Sequence, residues 1–247
     1  MNATEASAVD TCARALREQI LSGALPAGVR LPPERELADR FAVNRVTVRG
    51  ALAQLASEHL VSVRQGSGYT VRAWRRTGGP DLIATLVSLA RSSRDRATIV
   101  RDLLLVRRHL ARAIVERLAE GIEERDARAI EEAIARLHGV ADTGDVAAIA
   151  RADLEVAGAV VEATRSAVLA LCFNPVASLL TALPRLQLAM FREPETNVAA
   201  WRALLAWARR PSRAGIEAIA DLLTERDQRT VEAFERLEKR QPKEEGR

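Results

Sequence analysis

The chain has 247 residues, long enough for two domains, and its 48% hydrophobic content suffices for real cores, which an aromatic share of only 3% makes aliphatic and helix-favouring. Two cysteines (Cys12 and Cys172) without metal-ligand spacing, no apolar run of the ~18 residues a membrane span needs, and no signal-peptide pattern lead us to expect a reduced, cytoplasmic protein. The net charge of +4 sits entirely in residues 1–76, which hold 11 Arg against 7 Asp or Glu, whereas the remainder balances at 26 of each sign.

Positive charge confined to the N-terminal third is the pattern of a polyanion-binding module on a neutral body, although an ordinary solvated basic surface gives the same count. Along residues 7–22, Val9, Cys12, Ala13, Leu16 and Ile20 share one helical face, and Gly23 ends that helix. Pro26 and Gly28 mark residues 24–31 as a turn-rich connector. Pro33 suits the first turn of a short helix, with Glu34 and Glu36 near its positive end and Leu37, Ala38 and Phe41 on its buried face. Ala42 and Val43 form a tight turn, and Asn44 is a good N-cap for a helix over 45–57. Two helices joined this way make a helix-turn-helix, whose second helix enters the major groove. Arg45 and Arg49, four residues apart, share its outer face with Thr47 beside them, and Val46, Val48, Ala51, Leu52 and Leu55 are assigned to the inner face. Arginine can read guanine O6 and N7 bidentately, and Thr47 suits a phosphate or a thymine methyl; the competing reading of both arginines is surface salt bridges. Gly50 is out of place in a helix unless another backbone approaches closely. Residues 61–64 and 69–72 are β-type runs around Gln65-Gly66-Ser67-Gly68, a hairpin wing whose glycine-rich tip can lie on a phosphate backbone or in the minor groove.

The stretch LPPERELADRFAVNRVTVRGALAQLASEHLVSVRQGSG resembles the winged-helix signature of the GntR superfamily of bacterial transcription regulators, over nearly all of residues 8–72. The resemblance implies DNA contacts by Arg35, Arg45, Thr47, Arg49 and the wing around Gln65 and Gly66. Two positions depart from the family pattern, which usually has a glutamate in place of Gly50 and a glycine in place of His59. The latter puts histidine at a helix end that favours positive φ.

Residues 73–80, AWRRTGGP, are expected to be a linker, with Arg75 and Arg76 either touching phosphate or lying on an exposed face. Helical signals then run over 81–91, 96–120, 124–141, 145–164, 167–192, 197–209 and 213–239, with Pro175 and Pro184 kinking or splitting the fifth segment, and 240–247 form a polar tail. The expected fold is therefore mainly α. It comprises an N-terminal winged helix-turn-helix (1–72) with a small β-hairpin wing, a linker (73–80) and an all-α domain of about seven helices (81–239).

This body is similar to the C-terminal domain of the FadR subfamily, and TGGPDLIATLVSLARS followed by LLLVRRHL resembles its fatty-acid-responsive members. In many members an aspartate and three histidines hold a metal that helps bind a small carboxylate. Here Asp153 fits the aspartate position, but Ala157 stands four residues on, and the later positions near Trp201-Arg202 and Glu225 also lack histidine. We therefore expect no metal and no cofactor, and an acyl-coenzyme A or fatty acid effector instead. Asp153 interrupts the stripe Val146, Ile149, Val156, Val160, and Arg107 interrupts Leu103, Leu110, Ile114. The two either pair with each other or with separate buried partners, or Arg107 binds an effector carboxylate or phosphate. Met190, Phe191, Trp201 and Trp207 either line an acyl tunnel or are simply core.

The functional expectation is an effector-controlled, homodimeric transcription regulator that binds a pseudo-palindromic double-stranded DNA operator, away from membranes, with no enzymatic role. A regulator of another small carboxylate and an effector-free architectural DNA-binding protein are the alternatives. A hydrolase is disfavoured by the lack of a nucleophile elbow, a P-loop or a histidine-containing triad spacing.

Overall fold

Side-chain caps and apolar periodicity account for most of the helices in the computed structural model, which describes residues 7–64 and 68–239. Ser7, Asn44, Ser92, Asp145 and Ser166 each accept a hydrogen bond from the backbone N–H three residues on, opening helices α1 (Ala8–Leu21), α3 (Arg45–Ser57), α6 (Ser93–Leu118), α8 (Val146–Ala163) and α9 (Ala167–Ala182). The chain divides into two units, residues 1–89 and 90–247.

In the first unit, α1, α2 (Glu34–Phe41) and α3 surround an aliphatic core of Leu16, Ile20, Leu37, Val48, Leu52 and Leu55. Strands β1 (Val61–Arg64) and β2 (Gly68–Val71) pair antiparallel, Val61 opposite Val71, and bury both valines against that core. The connector before α2 is more ordered than its turn-rich composition indicates. Gly28 N and Leu31 N donate to Val71 O and Tyr69 O at 2.8 and 2.9 Å, and Val71 N donates back to Val29 O at 2.9 Å, so residues 28–31 run along the free edge of β2.

The expected linker and domain boundary are displaced. Residues 74–77 form a helical turn, α4 (Trp74–Thr77), in which Arg75 stacks over the Trp74 ring at 4.4 Å. A 3-10 turn (Pro80–Leu82) and α5 (Ile83–Leu89) follow, and Leu82, Leu86 and Leu89 pack on the first core. The boundary thus falls between Leu89 and Ala90, not at 73–80, because the apolar face of 82–89 is spent on the N-terminal unit.

The second unit is all helical among its described residues. It consists of α6, α7 (Glu124–Ala141), α8, α9, α10 (Pro184–Met190), α11 (Pro194–Arg209) and α12 (Arg213–Lys239). Helix α7 packs along α8 and α11, and α12 lies along α6 and α10. Pro184 splits the apolar 167–192 run into α9 and α10, which meet at 96°, whereas Pro175 is accommodated inside α9. No single described helix is long and apolar enough to cross a membrane.

Candidate nucleic-acid interface and effector cavity

Ala42 takes a left-handed conformation (φ 52°, ψ 43°) and turns α2 into α3 within three residues. Asn44 then fixes the start of α3: its Oδ1 accepts from Thr47 N at 2.8 Å and from the Thr47 hydroxyl at 3.1 Å. Thr47 is thus part of the cap: its hydroxyl proton is engaged, which leaves its methyl and the acceptor side of its hydroxyl for outside contact. Val48, Ala51, Leu52 and Leu55 are fully buried, which turns Arg45 and Arg49 outward as expected.

Val46 does not join the inner face to which it was assigned. It is 77% exposed, since three residues separate it from Arg49 on the helix surface. An exposed valine between two arginines on the second helix of a helix-turn-helix has the chemistry to contact a thymine methyl. It was missed because apolar character was read as burial.

Arg49 makes a two-pronged salt bridge with Glu34 of α2, Nε to Oε1 at 3.3 Å and Nη2 to Oε2 at 2.9 Å, and still exposes 68% of its side chain. That bond holds the Glu34 carboxyl below its ordinary pKa. Of the competing readings of Arg49, the surface salt bridge is the one present, and the side chain nevertheless remains presented to solvent. Arg35 and Arg45 are exposed and have no acidic partner within 4.0 Å among the described residues. Gln65 and Gly66, expected at the wing tip, lie outside the described residues.

One of the two departures from the family pattern, Gly50, acquires a physical reason, and His59 takes the left-handed conformation expected at its position. A Cβ on Gly50 would sit 3.2 and 3.3 Å from the Val9 methyls, so the close approach of α1 to α3 favours glycine there. His59 follows the end of α3 at φ 57°, while Leu60 N donates to Leu55 O at 2.9 Å to close the helix; the Thr77 hydroxyl donates to His59 O at 2.9 Å.

In the second unit a cavity of about 170 Å³ opens between α6, α8, α9, α11 and α12. Its wall is mostly aliphatic, with Leu110, Ile114, Val160, Phe173, Leu180 and Leu204 prominent, and Arg107, Asp153, Trp201 and Arg226 supply its polar groups. All three effector-binding candidates read from the sequence thus meet in one place. The Arg107–Asp153 pair does not form. Arg107 Nη2 donates to Asp227 Oδ1 at 2.9 Å, and Arg108 Nη1 reaches Asp227 Oδ2 at 3.4 Å. Asp153 Oδ1 instead accepts from Trp201 Nε1 at 2.7 Å and from Asn197 Nδ2 at 3.3 Å. Burial pushes the Asp153 carboxyl above its ordinary pKa, against the pull of those two donors and of Arg226 and Arg107. Met190 and Trp201 line the cavity, whereas Phe191 is buried in the core and Trp207 donates to Ser212 O at 3.2 Å away from it.

Arg226 was overlooked, yet the spacing that exposed Arg107 and Asp153 applies to it. It continues the α12 stripe Ile219, Leu222, Leu223 at helical intervals and so faces inward.

The donor set around Asp153 does not suit a divalent metal. The carboxylate is the only possible ligand among Asp153, Ala157, Trp201 and Arg226, and a guanidinium cannot ligate and repels a cation. No histidine lines the cavity, and among the described residues no three His, Cys, Asp or Glu cluster in a metal-binding arrangement.

Two family models match the chain: bacterial regulatory proteins of the gntR family over residues 8–71 and the FCD domain over residues 102–226. The chain is 44% identical over 85 residues to the HTH-type transcriptional regulator Mce2R of Mycobacterium tuberculosis, a match covering 34% of this chain and 35% of that one. It is 36% identical over 95 residues to the fatty acid metabolism regulator protein of Vibrio vulnificus, covering 38% and 33%. These matches span about a third of the length of the curated relatives. The solved structure of Lar, which controls the expression of the Listeria monocytogenes agr system, superposes with a TM-score of 0.61 at 16% identity, covering 96% of this chain and 100% of that one, a likeness of fold. A gntR-type winged helix followed by an FCD domain that spans half the sequence places the chain in the GntR family of bacterial regulatory proteins, within its FadR subfamily.

Proposed function

We propose that the protein is a DNA-binding transcription regulator, rather than an enzyme, whose operator affinity is set by a small effector in the helical unit. The observation that carries this reading is the outer face of α3, where Arg45, Val46 and Arg49 are exposed side by side on a helix anchored by its cap and its buried inner face. The protein acts as a homodimer with one winged helix per half-site of a pseudo-palindromic operator. The effector occupies the cavity without a metal or other cofactor and is a fatty acid or its coenzyme A thioester. The aliphatic wall and the names of the Vibrio relatives support that class. Control requires that the effector bind the DNA-competent and DNA-incompetent arrangements with different affinity.

The test is selection of the operator from a random duplex pool by the full chain, followed by binding of Arg45→Ala and Arg49→Ala to the selected site and to scrambled DNA at fixed salt. A base-reading arginine is worth about 1–3 kcal/mol of discrimination, so each variant is expected to lose roughly 5- to 150-fold on the operator and far less on scrambled DNA. Equal losses on both would remove the base-reading role.

A further inference from the structure

The cavity wall carries more positive charge than its acids balance. Arg107 and Arg108 share a single carboxylate, Asp227, and Arg107 Nε is buried without a hydrogen-bond partner among the described residues. Arg226 is half-buried, faces the same cavity, and has no Asp or Glu oxygen within 4.0 Å among the described residues. Three guanidiniums therefore face two acids, Asp153 and Asp227, and the excess grows if Asp153 takes up a proton. A guanidinium cannot shed its charge, so one facing an apolar cavity without a partner is costly until an anion reaches it.

We propose that Arg226 is the receptor for the carboxylate of an apolar monocarboxylic acid, bound directly and without metal. This rests on the reading that the helical cavity is the effector site, and it selects between the two effector forms left open above. A coenzyme A thioester presents a neutral carbonyl at the end of its acyl chain and would leave the excess positive charge unmet. A free carboxylate supplies one negative charge and two oxygens in the plane a guanidinium fork matches. The volume limits the body of the ligand. An apolar cavity of ~150 Å³ accommodates benzene, so one of this size takes a chain or ring of roughly six to eight carbons.

The experiment is isothermal titration of the EDTA-treated full chain with octanoate, octanol and octanoyl-coenzyme A, on the natural protein and on Arg226→Leu and Arg226→Lys, with the melting temperature of each unliganded variant as the check on folding. Octanoate is expected to bind the natural protein, unchanged by added zinc, and octanol and octanoyl-coenzyme A at least tenfold more weakly. Arg226→Leu is expected to lose tenfold or more of the octanoate affinity while leaving octanol unchanged, and Arg226→Lys to recover part of the loss. Octanoyl-coenzyme A binding as tightly as octanoate, or octanoate affinity indifferent to Arg226→Leu, overturns the receptor role. In those cases a shift of operator affinity by the thioester would leave the effector reading standing. If none of the three ligands binds and none shifts operator affinity, both fall.

Discussion

Replacing Asp227 tests how the polar side of the cavity is held together. Its side chain is 5% exposed on α12, and it faces Arg107 at 2.9 Å and Arg108 at 3.4 Å on α6. Taking this carboxylate out of water costs roughly what the two guanidiniums return, so the cluster adds little net stability. Removing one partner is a different matter, because it strands the others. Breaking a buried pair costs about 3–5 kcal/mol. The arginines keep 22% and 23% of their side-chain exposure, so water takes up part of the stranded charge. The expected loss for Asp227→Asn is therefore near ~3 kcal/mol, about 150-fold in the unfolding equilibrium. Replacing both partners, Arg107→Met with Asp227→Leu, is expected to cost under about 1 kcal/mol, because Arg108 can turn to solvent. The assay is urea denaturation of the full chain followed by tryptophan fluorescence. A loss under about 0.5 kcal/mol for Asp227→Asn, or a double variant as unstable as the single one, would refute the reasoning.

Three further predictions concern the winged helix. His59→Gly relieves left-handed strain of about 1–2 kcal/mol, less the entropy cost of glycine, and is expected to raise stability by about 0.5–1 kcal/mol in thermal melts; a neutral or lower value would mean the Thr77 contact holds the backbone without strain. Gly50→Ala should be close to neutral, since a propensity gain of about 0.8–1.0 kcal/mol meets the tight Val9 contact, whereas with Val9→Ala also present the same change should stabilise by nearly the full gain; additivity of the two changes would contradict the contact. Asn44→Ala should cost about 1 kcal/mol and weaken operator binding, because the cap that fixes Thr47 and the first turn of α3 is lost; unaltered stability and DNA affinity would show that the cap is dispensable.

Local chemistry made much of this molecule legible in advance. Asn44 marked the start of α3, and Pro184 marked the split between α9 and α10. The inner-face positions of Arg107 and Asp153 followed from apolar spacing, which needs no knowledge of neighbours. The order of residues 28–31 was not legible, since it comes from hydrogen bonds to β2 some 40 residues away. Val46 was misplaced because a short helix leaves its boundary positions ambiguous, and packing against α1 chooses among them.

The sequence by itself determined most of the helices, the helix-turn-helix and the outward placement of Arg45 and Arg49, because caps, turns and apolar periods act within a few residues. Tertiary structure decided which charges meet. It joined Arg107 to Asp227 across 120 positions, gave Asp153 to Trp201 and Asn197, and left Arg226 facing the cavity with no acidic partner within 4.0 Å among the described residues. Partner choice depends on which helix faces which, and helical periodicity fixes only that a charge points inward.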